Sequence, residues 1–289
     1  MKPMRSEKEM LDLIVGVAES DERIRAVIMS GSRAIPDVPK DIFQDYDICY
    51  FVKDIEPFYN NMEWIREKFG NPIIFQLPED MELMPPNGDG HFCSLMIFED
   101  GNRIDLSIDF TPYIDDGEPV TVLLDKDEQN GFVPPISVNP SFFHIKKPKE
   151  ELYNDCCNEF WWCLNNVAKG IARDELPYAM EMLNSIVRDM LKEMITWYIG
   201  IKTDFSVSSG KMGKYFKRYL DPRLYETYCK TYSDSDYDNL WEAVFIMCGL
   251  FREVAEQVAA HFGYKYPCKD DENMMNYLKW VRNISGEGK

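Results

Sequence analysis

Histidine is scarce in this chain, basic charge is in deficit, and no apolar run is long. Of the 289 residues only His91, His144 and His261 are histidines, and they stand too far apart in sequence to suggest a histidine-built metal site. The eight cysteines contain no Cys-x-x-Cys pair, and Cys156 and Cys157 are adjacent. They read as reduced thiols of a cytoplasmic protein rather than as a disulfide framework or zinc knuckle. Lysine and arginine number 32 against 50 acids, a net charge of −18. Such a field repels the phosphates of nucleic acid and draws in a cationic substrate instead. No stretch is apolar for long enough to span a bilayer, so no membrane partner is expected. The first apolar patch, in MKPMRSEKEMLDLIVGVAES, is interrupted by Asp12, which argues against a signal peptide. Repeats and low-complexity tracts are lacking as well. With 45% hydrophobic and 13% aromatic residues the chain is globular, and its length accommodates two domains with cores of their own.

What the sequence does have is one stretch around which the rest is organised, AVIMSGSRAIPDVPKDIFQDYDICYFV from Ala26 to Val52. A β-forming run, Ala26 to Met29, ends at Ser30-Gly31-Ser32-Arg33. After a polar spacer, Asp45-Tyr46-Asp47 opens a second β-run, Ile48 to Val52. Side chains two apart on a strand share a face, so Asp45 and Asp47 project together. Two such carboxylates repel each other unless a cation lies between them, and Mg²⁺ is a hard ion that shares oxygen ligands between carboxylates and substrate phosphates. Gly31 has no Cβ to keep backbone N–H groups from a phosphate. The pattern of hydrophobic strand, Gly-Ser, spacer and Asp-x-Asp resembles the active site of the nucleotidyltransferase superfamily that includes DNA polymerase β. That resemblance calls for a third acid downstream.

Around this stretch the periodicity predicts a helix over residues 6–20 with Ser6 as N-cap, a helix from about Phe58 to Phe69, and a short strand at Ile73–Phe75. An acidic segment, Pro78 to Glu82, comes next. Two β-runs, His91–Phe98 and Asn102–Phe110, are joined at Glu99-Asp100-Gly101, a hairpin signal. In the second run Ile104, Leu106 and Ile108 fall on one face and Asp105, Ser107 and Asp109 on the other. Asp105, at the centre of Ile-Asp-Leu, is the candidate third acid, with Asp109 its rival. A strand at Val120–Leu124 leads into a proline-rich linker that runs to about Lys149. Beyond it Glu151–Arg173, Glu175–Tyr198 and Tyr237–Phe262 carry apolar residues at helical spacing. Ser209 to Arg218 reads as a basic helix with Lys211, Lys214 and Lys217 near one face.

Over nearly its whole length the chain resembles the aminoglycoside 6-adenylyltransferases, the streptomycin-modifying family. The segments that carry the resemblance are FQDYDICYFV (43–52), PEDMEL (78–83), FEDGNRIDL (98–106), VLLDKD (122–127), CCNEFWW (156–162), VAKGIARDE (167–175) and GKMGKYFKRYL (210–220). Residues 111–118 match nothing. The resemblance implies an α+β protein: a polymerase-β-like nucleotidyltransferase domain with a mixed sheet over residues 1–140, and an all-helical substrate-binding domain over 141–289. It also implies transfer of AMP from Mg-ATP to a streptomycin hydroxyl, with drug and ATP bound between the domains.

Asp45, Asp47 and Asp105 then form the catalytic and Mg²⁺ set, Asp105 being either a metal ligand or the proton acceptor. ATP phosphates fall to Gly31, Ser32 and Arg33 and to Lys211 and Lys214. A polycationic drug needs acids and aromatics, for which Trp161, Trp162, Asp174, Glu175 and Glu181 are candidates. Of the adjacent tryptophans, one is expected inside the core. Asp174 also reads as an N-cap of the following helix. The rival functions are the same transfer to another acceptor, a small molecule or a protein hydroxyl, and a nucleotide-binding module without catalysis.

Overall fold

The computed structural model describes residues 2–35, 38–59, 63–78, 81–83, 91–110, 117–127, 133, 139 and 141–286. The chain divides into two compact units, Met1–Phe142 and Phe143–Lys289.

In the first unit, helix α1 (Glu7–Glu19) starts at a reciprocal cap: the Ser6 side chain accepts from the Glu9 backbone while the Glu9 carboxylate accepts from the Ser6 N–H. Met10, Ile14 and Val17 are its buried stripe. Strand β1 (Ile24–Ser30) follows, then the single turn α2 (Gly31–Ala34), strand β2 (Tyr46–Val52), two short helices α3 (Glu56–Tyr59) and α4 (Glu63–Phe69), and strands β3 (Pro72–Gln76), β4 (Phe92–Phe98), β5 (Arg103–Asp109) and β6 (Thr121–Asp125). Of the helix expected over 58–69, residues 58–59 and 63–69 are helical, and residues 60–62 are outside the described set. So are 79–80 of the acidic segment, 111–116 of the unmatched stretch and most of the proline-rich linker.

The sheet is mixed, in the order β3-β4-β5-β2-β1-β6. β4 and β5 form the hairpin expected at Asp100-Gly101, where Gly101 turns at φ +84°. β2 and β5 are parallel neighbours, and their register sets Asp47 directly against Asp105. Alternation gives the sheet two unlike faces. Ile104, Leu106 and Ile108 join Tyr46, Ile48, Tyr50 and the α1 stripe in the main core. Ala26, Ile28, Phe51 and Val120 make a small cluster of their own. The acids of β2 and β5 point away from the main core.

The second unit is helical: α5 (Glu150–Ala172), α6 (Leu176–Glu181), α7 (Arg188–Lys202), α8 (Phe216–Tyr219), α9 (Pro222–Cys229), α10 (Tyr237–Phe262) and α11 (Cys268–Gly286). α5 and α10 meet through rings, Phe160 stacking on Phe251 with centroids 3.7 Å apart and Trp161 edge-on to Phe251. α10 has the bounds its periodicity predicts, and closes on Gly263 in the left-handed conformation. The helix expected over 175–198 is continuous from Leu176 to Lys202, with a wide π turn inside it at Met182–Val187. After the π turn, Arg188 is buried; it donates to Asn184 and Thr231 and stacks on Tyr232. Among the described residues no helix is long and apolar enough to cross a membrane.

Candidate active site

The site grows from the end of β1. Ser30 pairs with Asp47 across the antiparallel β1–β2 ladder, so the turn that begins at Gly31 abuts the Asp47 side chain. Gly31 holds φ at +65°, a conformation that L side chains rarely adopt. A Cβ placed there would meet Asp47 Oδ2 at 1.9 Å. On the other side of β2, the parallel register brings in Asp105. Asp47 therefore lies between the glycine turn and the third acid.

Of the rival third acids, the structure brings Asp105 and not Asp109 to this end of the sheet. Asp109 is opposite Phe51, four residues or roughly 13 Å further along β5. Its carboxylate is engaged there with His91 Nδ1 at 2.8 Å and with the Cys49 thiol at 3.1 Å. Burial and the neighbouring Asp109 push the Cys49 thiol far up, so it stays protonated and donates.

Electrostatics show the crowding. Burial, together with Asp105 and Asp45, pushes the Asp47 carboxyl up to about 6. Burial raises Asp45 also, against the pull of Arg103. Arg103 is the cation among these acids. It donates Nε–H to Asp105 Oδ1 at 2.7 Å and Nη2–H to Oδ2 at 2.6 Å, and its Nη1 lies 3.4 Å from Asp45 Oδ2. Its position two before Asp105 on a strand puts it on the same face, the one signal of it in the sequence.

The oxygen-only donor set of Asp45, Asp47 and Asp105 fits a hard divalent cation, and a guanidinium already stands among them as a substitute charge. Arg33 has a different task from the phosphate contact expected of it. Its side chain is buried, donating Nε–H to the Asp45 carbonyl at 3.0 Å and Nη2–H to the Gln44 carbonyl at 2.8 Å, with its guanidinium 3.9 Å over Tyr46. It fixes the backbone that carries Asp45. Ser32 stays half-exposed, within 3.3 Å of Gln44 Nε2.

In the helical unit the expected residues scatter. Trp161 is core, and Trp162 is exposed on a different cavity with Tyr277, Met274 and Asn273. Asp174 is not an N-cap; Glu175 occupies that position. Asp174 sits at φ +60° and accepts a hydrogen bond from the Tyr237 hydroxyl at 2.9 Å. Glu181 accepts from Ser185 at 2.6 Å. Ser209 to Arg218 is no regular helix. Gly210, Met212 and Gly213 all have positive φ, so Lys211 and Lys214 are exposed on a folded loop followed by the short α8, not on one helical face.

That loop edges a cavity of about 650 Å³ between α5 and α7, lined by Asp155, Glu159, Asp189 and Glu193 with Lys192 and Thr196. Burial raises Glu193. Each helix carries its acids at i and i+4, a like-charge spacing that destabilises an isolated helix. That spacing is legible in the sequence itself.

A strand, a Gly-Ser turn, an Asp-x-Asp strand and a third aspartate on a parallel neighbour define a nucleotidyltransferase. The profile of the family described as streptomycin adenylyltransferase matches residues 4–281, and the chain belongs to that family. It is similar to an aminoglycoside 6-adenylyltransferase of Bacillus subtilis (strain 168), with 42% identity over 96% of this chain and 98% of that protein. The relative of the same name from Campylobacter jejuni is 41% identical over 95% of each chain. The crystal structure of an aminoglycoside 6-adenyltransferase from Bacillus subtilis superposes with a TM-score of 0.48 at 38% identity, covering 96% of this chain and 99% of that one.

Proposed function

We propose that the protein transfers AMP from Mg-ATP to a hydroxyl of an aminoglycoside, streptomycin at its 6-position, and releases pyrophosphate. The observation that carries this reading is the convergence of Asp45, Asp47 and Asp105 at one end of the sheet beside the Gly31 turn. The names of the family and of the relatives point to the acceptor.

Asp45 and Asp47 hold Mg²⁺ in this reading, with Asp105 as third ligand or as acceptor of the proton from the attacking hydroxyl. Bound there, the metal supplies charge neutralisation and orientation of the triphosphate. Gly31 and Ser32 face the phosphates, and Arg33 keeps the Asp45 backbone in place. The hydroxyl oxygen bonds to the α-phosphorus, the bond to the β-phosphate oxygen breaks, and pyrophosphate leaves with that electron pair. The acid-lined cavity of the helical unit supports a cationic acceptor, since four carboxylates on two helices gain from a bound polycation.

The test is pyrophosphate release from Mg-ATP with streptomycin, kanamycin and spectinomycin in parallel. Release with streptomycin, and a product heavier by one AMP, is expected. Release with none of them sends the reading to another acceptor.

A further inference from the structure

Arg103 and Asp105 leave β5 on one face, and the guanidinium engages both oxygens of the carboxylate as a fork while its third nitrogen reaches Asp45. A divalent ion shared by these acids needs oxygens at about 2.0–2.1 Å from its centre, a distance that leaves no room for a guanidinium in the same gap. As the side chains stand, no three His, Cys, Asp or Glu among the described residues close on a metal. Arg103 supplies the positive charge itself.

Its side chain is also free to leave. It is 40% exposed, whereas that of Arg33, fixed to backbone carbonyls, is 6% exposed. We propose that Arg103 is a positioning residue: it holds Asp105 and Asp45 together while the metal is absent, and the metal displaces it from Asp105. This rests on the metal reading given above. It assigns Arg103 a competing role, and competition has a sign that a merely structural role lacks. A residue that only braced the acids would, when removed, loosen them and weaken metal binding. A competitor, when removed, strengthens it.

The experiment titrates Mn²⁺ into the full chain stripped of metal by chelator, without nucleotide, and reads free Mn²⁺ by electron paramagnetic resonance. Arg103→Gln is expected to bind Mn²⁺ more tightly than wild type by up to about fivefold, the loss of one exposed ion pair. Arg103→Lys keeps the charge without the fork and falls between the two, and it serves in place of Arg103→Gln should that variant not fold. In an Asp105→Asn background the gain from Arg103→Gln is expected to shrink to within about twofold, because the two residues act through one contact. Equal or weaker binding by Arg103→Gln overturns the displacement. If wild-type binding is at the same time lost in Asp47→Asn, the metal reading stands and only the role of Arg103 falls. A wild-type chain that binds no Mn²⁺ overturns both.

Discussion

A methyl group on Gly31 would stand 1.9 Å from Oδ2 of Asp47. The turn and the acid are thus a single steric unit: the carboxylate lies where any other residue at 31 would put its side chain. Gly31→Ala must either push Asp47 aside or reshape a turn already at φ +65°. A displacement of about 1 Å at a reacting centre costs roughly a hundredfold in rate. The left-handed conformation costs alanine only about 1–2 kcal/mol. Turnover should therefore fall about a hundredfold or more, while the melting temperature drops by a few degrees. A variant as active as wild type would detach Asp47 from catalysis.

Asp47 itself sets function against stability. Its carboxyl is pushed up to about 6 by burial and by Asp105 and Asp45, against about 3.9 in an unfolded chain. Between those values the native state binds the extra proton, so stability falls as pH rises through that window, and the loss is complete above about 6. Asp47→Asn removes the charge. The metal-free variant should melt above wild type at pH 7.5 and close to it near pH 4, yet should be inactive in transfer. Calorimetry at the two pH values, beside pyrophosphate release, checks both halves. A variant that melts lower than wild type at pH 7.5 contradicts the electrostatic account.

The third acid is decided by a pair of variants. Asp105→Asn removes a carboxylate opposite Asp47 and should lower turnover by roughly two to four orders of magnitude, the range for a lost acid–base group. Asp109→Asn leaves that end of the sheet untouched and alters only the contacts with His91 and Cys49, so turnover should stay close to wild type. Single-turnover rates compare the two directly. The opposite ranking would move the site along β5.

How far the sequence carried can be judged from these same residues. Period-two alternation placed Asp105 on the polar face of its strand, Ser6 announced α1, and Asp100-Gly101 announced the β4–β5 hairpin. Each is a local rule, satisfied within a few residues. The partner of Asp105 was not legible, because the parallel pairing of β2 with β5 is decided by the sheet as a whole. The contacts of Arg33 are not legible for a related reason, since the carbonyls it donates to belong to Gln44 and Asp45, some dozen residues away. In the helical unit, spacing marked α10 to the residue but could not show the π turn before α7. It also read residues 209–218 as a helix, where the glycines and Met212 bend the chain into a loop.

The acid cavity yields the last prediction. Glu159 lies four residues after Asp155 on α5, and Glu193 four after Asp189 on α7. Like charges at that spacing cost each helix about 0.2–0.5 kcal/mol. Of the lining side chains, Lys192 is paired with Asp189 at 2.6 Å. If a cationic acceptor binds here, the repulsion is relieved by substrate, and Glu159→Gln or Glu193→Gln should weaken the acceptor without touching ATP. A charge-assisted hydrogen bond is worth about 1.5–3 kcal/mol, so KM for the aminoglycoside should rise roughly ten- to a hundredfold, with KM for ATP unchanged. The same substitutions should leave the free protein as stable as wild type or slightly more so, because each removes a repelling charge. Steady-state kinetics with each substrate varied in turn, and a melting curve of the free protein, separate this outcome from simple misfolding. A rise in KM for ATP instead would place the nucleotide, and not the acceptor, against these acids.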